Sequence, residues 1–280
     1  MDKILVFGAT GAVGSFVLRQ LPGRFHVIGV SRHSQPGPGH WICADLNDRD
    51  AAWPDVDIVI SAGPLDGFAQ WLQRYSGRTL RRVIALSSMS AQTKRDSDDV
   101  HERELSRRLR SCESEVLTAC ASGDIACTLF RPTLIYGAGT DRSLARIARF
   151  AWRWRILPIP VGATGLRQPI HAQDIASACL AVMDSPTTFA KTYSLGGAER
   201  LRFDNLLERL RHSLPIFVLP IPIPITLLHL VGKLGTVASI TPAMILRLRE
   251  PLIADNDPAV RDFGFCPRDF HAEQVLPAGR

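Results

Sequence analysis

Lys3-Ile4-Leu5-Val6-Phe7-Gly8-Ala9-Thr10-Gly11-Ala12-Val13-Gly14 delivers a short apolar run straight into three glycines spaced three residues apart. Ile4 to Phe7 reads as a strand buried on both faces, as parallel sheets require. Gly8 permits a turn that a side chain would obstruct. Gly11 lets the backbone approach a pyrophosphate, and Gly14 lets the following helix, expected over about Ala12 to Leu21 and stopped by Pro22-Gly23, pack against the strand. The positive dipole end of that helix and its free N–H groups then face the phosphates. The spacing GxxGxxG differs from the common GxGxxG. Its place between a strand and a helix still points to a dinucleotide site formed by Gly8, Thr10, Gly11, Ala12, Val13 and Gly14.

Outward from this loop, strand-like runs recur at Phe25 to Val30, Trp41 to Cys43, Asp57 to Ser61, Arg82 to Ser87 and Ala126 to Arg131. Most are separated by helix-length segments, notably Asp66 to Tyr75 and Val100 to Ala121. Strands alternating with helices predict an α/β chain with a Rossmann-type, doubly wound parallel sheet. Beyond Arg131-Pro132 the pattern gives helices at Arg142 to Arg155, Ala172 to Asp184 and Phe203 to His212, and a strand-turn at Thr192 to Gly197. Residues 1–280 read as one dinucleotide-binding domain, with 1–135 mainly holding the cofactor and 136–280 contributing a small substrate lobe. The charge-rich Val100 to Ala121 segment, with Glu104 and Arg108 at i,i+4, reads as a solvated helix face.

Residues 214–248 are apolar and studded with prolines. Pro215, Pro220, Pro222 and Pro224 break any helix there, so a membrane span is not expected, whereas Ile225 to Leu234 reads as an amphipathic helix. Packing in the substrate lobe and interfacial membrane contact both stay open, the latter because of Trp152-Arg153-Trp154-Arg155. The formal charge is +6, and only four of the 33 basic residues are lysines (Lys3, Lys94, Lys191, Lys233). Such a field suits anionic ligands, while the scatter of the basic residues argues against nucleic acid. The six cysteines show no CxxC spacing and the eight histidines are dispersed, so no metal site is expected. A reduced, cytoplasmic chain with no leader segment is the expectation.

The chain resembles the extended or atypical short-chain dehydrogenase/reductase superfamily, which includes nucleotide-sugar epimerases and reductases. The carriers are the glycine loop, Ala44-Asp45-Leu46, Leu86-Ser87-Ser88-Met89-Ser90, Leu129-Phe130-Arg131-Pro132 through Gly137, Gln168-Pro169-Ile170-His171 through Ala176, and Tyr193-Ser194-Leu195-Gly196-Gly197. In such families an acidic residue closing the second strand selects NAD, and a small residue followed by arginine accommodates the 2′-phosphate of NADP. Here Val30 is followed by Ser31-Arg32, which implies NADP over NAD. The resemblance also implies that Asp45 approaches the adenine, the alternative being a cap of its own turn, and that Pro132 borders the cofactor.

Ser88 fills the place of the family's catalytic serine, but the Tyr-x-x-x-Lys pair is missing. Tyr75, Tyr136 and Tyr193 are followed four residues on by Thr79, Thr140 and Gly197, and the expected helix holds neither tyrosine nor lysine. His101, Glu102, Arg107, Cys112 and Tyr136 are the available substitutes. Arg167 and Arg142 are candidate clamps for a substrate diphosphate. His171 reads as a packing residue and Asp174 as the cap of a helix beginning at Ile175.

Two functions follow. One is an NAD(P)-dependent oxidoreductase or epimerase acting on a small molecule such as a nucleotide sugar. The other is a non-catalytic NADP-binding module that stabilises or regulates a partner complex. A homodimer and a peripheral membrane contact are compatible with either.

Overall fold

The computed structural model describes residues 1–36, 39–141, 143–224 and 247–276. The apolar runs form seven parallel strands: β1 (Lys3–Phe7), β2 (His26–Ser31), β3 (His40–Cys43), β4 (Ile58–Ser61), β5 (Arg82–Leu86), β6 (Ala126–Pro132) and, from the C-terminal half, Lys191–Leu195. In space they run in the order Lys191–Leu195, β6, β5, β4, β1, β2, β3. The strand order therefore reverses between β1 and β4, at the C-terminal edge where open parallel sheets bind ligands.

The strands alternate their side chains between two apolar layers. Ile4, Val6, Ile58, Ile60, Ile84 and Phe130 face a layer with Val17 of α1 (Gly14–Gln20), Val13 just before it, and Ile175 and Cys179 of the helix Ala172–Ala181. Leu5, Phe7, Val59, Val83 and Leu129 face the other layer, with Phe68 and Trp71 of α2 (Leu65–Arg74) and Cys112, Val116 and Cys120 of a long helix, Val100–Ser122. The central strands β1, β4 and β5 are thus buried on both sides, which is why their sequences are continuous apolar runs. Between β5 and the long helix lies a short turn of helix, α3 (Ser90–Thr93), so the long helix is α4.

A third cluster holds the C-terminal lobe together. The strand β7 (Leu134–Tyr136) and helix α5 (Leu144–Trp154) supply Tyr136, Leu144, Ala148 and Ala151, which pack on Leu206, Leu207 and Leu210 of the helix Phe203–Ser213. Next come β8 (Ile156–Val161), β9 (Leu166–Arg167), β10 (Pro169–His171), α6 (Ala172–Ala181), β11 (Lys191–Leu195), β12 (Leu201–Arg202), α7 (Phe203–Ser213), β13 (Leu219–Pro224) and α8 (Asp257–Phe263).

The proline-rich stretch begins where α7 ends at Ser213, and its Leu219–Pro224 part forms β13, which pairs in parallel with β8 through Pro220↔Leu157, Ile221↔Pro158 and Pro222↔Ile159. Prolines at every second position put their missing N–H groups on one side of each strand, so the ladder survives. The expected amphipathic helix Ile225 to Leu234 lies outside the described residues, as does Arg142.

Element ends differ from the expected ones by one to three residues. The first helix begins at Gly14 rather than Ala12, because Gly11 to Val13 still belong to the turn. Glu104 pairs with Arg107 at 2.5 Å, not with Arg108.

Candidate functional site

Gly8 closes β1 with φ +65°, and the Gly11 amide donates to its carbonyl at 2.8 Å. A Cβ on Gly8 would stand 2.7 Å from the Ala62 carbonyl carbon in the loop after β4. A Cβ on Gly14 would stand 2.1 Å from the Gly8 oxygen. These two glycines therefore let the turn and α1 lie flat on the end of the sheet. No side chain caps α1, whose N-cap is Val13. An uncapped helix start behind a glycine turn offers backbone N–H groups to an anion. The backbone of Gly8 to Gly14 thus lies at the C-terminal end of the sheet without a side-chain cap over it.

At the end of β2, Ser31 is buried and its Oγ accepts from the His33 amide at 3.2 Å and from Gln35 Nε2 at 3.0 Å, which folds the following loop back. Arg32 is exposed, and its guanidinium has no partner among the described residues. Asp45 is exposed after β3 and its Oδ1 accepts from the Asn47 amide and from Asn47 Nδ2, both at 2.9 Å, so it does cap its own turn. Pro132 ends β6, where its carbonyl accepts from Met89 N at 3.1 Å. Ser88 follows β5, is half-buried, and its Oγ accepts from Ser90 N at 3.2 Å. The topology thus brings the glycine loop, Arg32, Ser88 and Pro132 to one edge of the sheet.

Beneath Ser88 lies a buried network that the sequence reading missed. Glu113 of α4 takes two bonds from Arg131, Nε at 2.8 Å and Nη2 at 2.5 Å, and one from Ser87 Oγ at 2.5 Å. Paired, hydrogen-bonded burial is what a carboxylate at 4% exposure needs. At the start of α4, Glu102 is also buried and faces Ser97 Oγ at 2.8 Å, Arg247 at 2.6 Å and Lys94 Nζ at 3.4 Å. The signal was present as a helical stripe: Glu102, Ser106, Leu109, Glu113, Val116 and Cys120 recur at spacings of three and four. A charged residue on such a stripe reads as solvated until its distant partner is known.

The substitutes for the absent Tyr-x-x-x-Lys pair are placed differently. Cys112 sits in the apolar layer under the sheet, where burial pushes its thiol pKa up. Tyr136 is fully buried; its hydroxyl donates to Asp269 O at 3.2 Å and accepts from His271 N at 3.1 Å, and burial pushes its pKa up to about 12. His101 and Arg107 are exposed on α4.

Arg167 is buried and spends its guanidinium on main-chain carbonyls, those of Leu166 at 2.9 Å, Glu250 at 2.7 Å and Arg247 at 2.5 Å. That corrects its reading as a free diphosphate clamp: it fastens the 247–250 segment to β9. His171, not Asp174, caps α6, its Nδ1 accepting from Gln173 N at 3.1 Å. Asp174 instead accepts from Arg268 N at 3.0 Å and Arg268 Nε at 2.8 Å. All six cysteines are free, and among the described residues no helix is long and apolar enough to cross a membrane.

No family model matches the chain. Three curated relatives carry one description, NADH dehydrogenase [ubiquinone] 1 alpha subcomplex subunit 9, mitochondrial. The Mus musculus protein is 22% identical over 96% of this chain and 78% of its own length. The Arabidopsis thaliana protein is 29% identical over 72% and 56%, and the Dictyostelium discoideum protein 29% identical over 29% and 22%, so the chain spans about half of one and under a quarter of the other.

Among solved structures, MoeE5 in complex with UDP-glucuronic acid and NAD superposes with a TM-score of 0.72 at 18% identity, over 98% of this chain and 96% of that one. UDP-glucuronic acid 4-epimerase from Bacillus cereus, with UDP-glucuronic acid and NAD, gives 0.69 at 16% over 98% and 96%. A short-chain dehydrogenase/reductase superfamily protein from Agrobacterium tumefaciens with bound NAD gives 0.69 at 16% over 98% and 94%. These superpositions show that the chain has the Rossmann-type fold of short-chain dehydrogenase/reductase and nucleotide-sugar epimerase structures.

Proposed function

We propose that the chain is a dinucleotide-binding module, selective for NADP over NAD, that serves a larger assembly rather than acting as a Tyr–Lys reductase. The observation that carries this reading is the contrast between the two sides of the site. The phosphate side has its full backbone cradle, Gly8 to Gly14, with Arg32 exposed and unpaired beside the end of β2. On the Ser88 side, Tyr136 and Cys112 are locked in packed interiors, and Glu102 is held by Lys94 and Arg247. The 1–135 half then holds the dinucleotide, with Gly8, Thr10, Gly11, Ala12, Val13, Gly14, Ser31, Arg32, Asp45 and Pro132 around it. The 136–280 half supplies the lobe that faces a partner or substrate. When bound, the nicotinamide would supply hydride chemistry; general acid–base help of about 10²- to 10⁴-fold needs a placed proton donor. The curated relatives, described as subunits of a complex, support the same reading.

A second reading is favoured by Ser88, half-buried after β5: an oxidoreductase or epimerase on a nucleotide sugar, with Ser88 orienting the carbonyl oxygen. Titration calorimetry with NADP and NAD, with a turnover assay using NADPH and 4-keto nucleotide sugars, separates the two. The module predicts NADP binding, thermal stabilisation and no turnover. Arg32→Ala is expected to weaken NADP by about ten- to a hundred-fold, the value of a charge-assisted phosphate contact, and to leave NAD unchanged. Equal affinity for NAD and NADP removes the Arg32 assignment, and turnover that Ser88→Ala abolishes establishes the enzyme.

A further inference from the structure

The outward face of α5 and the strand edge beside it have no role in the dinucleotide site. α5 buries Leu144, Ala145, Ala148 and Ala151 in the lobe core. Its opposite face carries Arg146, Arg149 and Arg153 in one row, at i, i+3 and i+7, flanked on one side by Phe150 and Trp154 and on the other by Trp152. Trp154 is 61% exposed.

Arg155 then turns the chain into β8 with φ +59°, and its carbonyl accepts from Leu219 N at 2.9 Å. That bond draws the segment before β13 alongside, where Phe217 is 75% and Leu219 50% exposed. Arg153 lies over the Trp154 ring at 5.4 Å, and Arg149 donates to Gly139 O at 2.6 Å. None of Arg146, Arg149, Arg153 and Arg155 pairs with a carboxylate among the described residues. The sequence has no Asp or Glu between Asp141 and Asp174 to neutralise them.

We infer that this face docks on an anionic lipid surface. Arginines whose stems lie along apolar neighbours carry their guanidinium groups to phosphate headgroups, and tryptophans seat at the same depth. A second copy docking face to face would set arginine row against arginine row, which opposes association. Nucleic acid accounts for the arginines and rings but gives no return for exposed Leu219, which acyl chains do.

The test is co-flotation of the full chain with vesicles of phosphatidylcholine alone or mixed with phosphatidylglycerol. Binding is expected only with phosphatidylglycerol, and it is lost at about 1 M salt, where charges are screened beyond about 3 Å. Arg146→Gln with Arg153→Gln is expected to weaken it about thirty-fold, each basic residue near an anionic surface being worth about five-fold. Trp154→Ser with Phe217→Ser weakens it too, while the charge-matched Arg49→Gln with Arg78→Gln leaves it unchanged. All of these residues are exposed, so the variants stay folded, as circular dichroism checks. The inference is overturned by no flotation with either vesicle, by equal losses in the Arg49/Arg78 variant, or by binding to a single-stranded oligonucleotide without binding to vesicles.

Discussion

Gly14→Ala is expected to destabilise the fold although alanine is the better helix former. The substitution gains up to about 1 kcal/mol from helix propensity and from the lost freedom of the unfolded chain. Against this, the new Cβ would stand 2.1 Å from the Gly8 oxygen, 2.7 Å from the Gly8 carbonyl carbon and 2.8 Å from the Ala9 Cα. All three are backbone atoms at the end of β1, so no rotamer change relieves them, and α1 has to lift by about 1 Å to restore van der Waals contact. Overpacking of this kind costs about 1–3 kcal/mol, and a clash with main chain belongs at the upper end. The balance is a loss of about 1–2 kcal/mol, or several degrees in Tm for a chain of this size. Lifting α1 also takes its first turn away from the phosphate cradle, so NADP affinity falls with stability. Urea unfolding beside Gly23→Ala, whose Cβ meets nothing within 4 Å and which lies in the turn after α1, separates the clash from the shared loss of unfolded-chain freedom. If Gly14→Ala proves as stable as Gly23→Ala, the close packing of loop and helix is wrong.

Other expectations follow from the buried charges. Glu113→Gln leaves Arg131 a largely buried cation without its anion, and a loss of about 2–3 kcal/mol in urea unfolding is expected; adding Arg131→Met recovers most of it, because the cost lies in the unpaired partner. An additive double variant refutes the pairing. His171 is 3% exposed, and burial lowers its pKa from 6.5 to about 4, so the folded chain refuses a proton that the unfolded chain accepts. Stability from this group is complete above pH 6.5 and is lost as pH falls toward 4, about 2 kcal/mol between pH 7 and pH 5. His171→Asn keeps the α6 cap and removes the titration, so its urea midpoint depends less on pH over that interval; an unchanged slope contradicts the assignment.

Much of the fold was legible because its determinants are local. The run Ile4 to Phe7, the glycine loop and the alternation of apolar and helical segments each declare their structure within a few residues, so the parallel sheet and its ligand edge follow from the sequence. β13 was not legible as a strand, since prolines at 220, 222 and 224 read as helix breakers until β8 pairs Leu157, Ile159 and Val161 with them in a register that tolerates them.

The site was legible on the same terms. Gly8 and Gly14 are required by backbone geometry alone, and the place of Arg32 directly after β2, where it is proposed to meet the cofactor, is also readable from the sequence. The absence of a Tyr-x-x-x-Lys pair is likewise written in the sequence. What α4 does with its charges is not: Glu113 is a solvated residue or a buried anchor according to whether Arg131 and Ser87 meet it, and those lie on β6 and after β5. Arg167 reads as a ligand clamp until the 247–250 carbonyls fold onto it. Backbone turns and strand periodicity are set by neighbours in the chain, so the sequence determines them. The role of a charged side chain is set by the partner it desolvates against, and only the tertiary structure decides that.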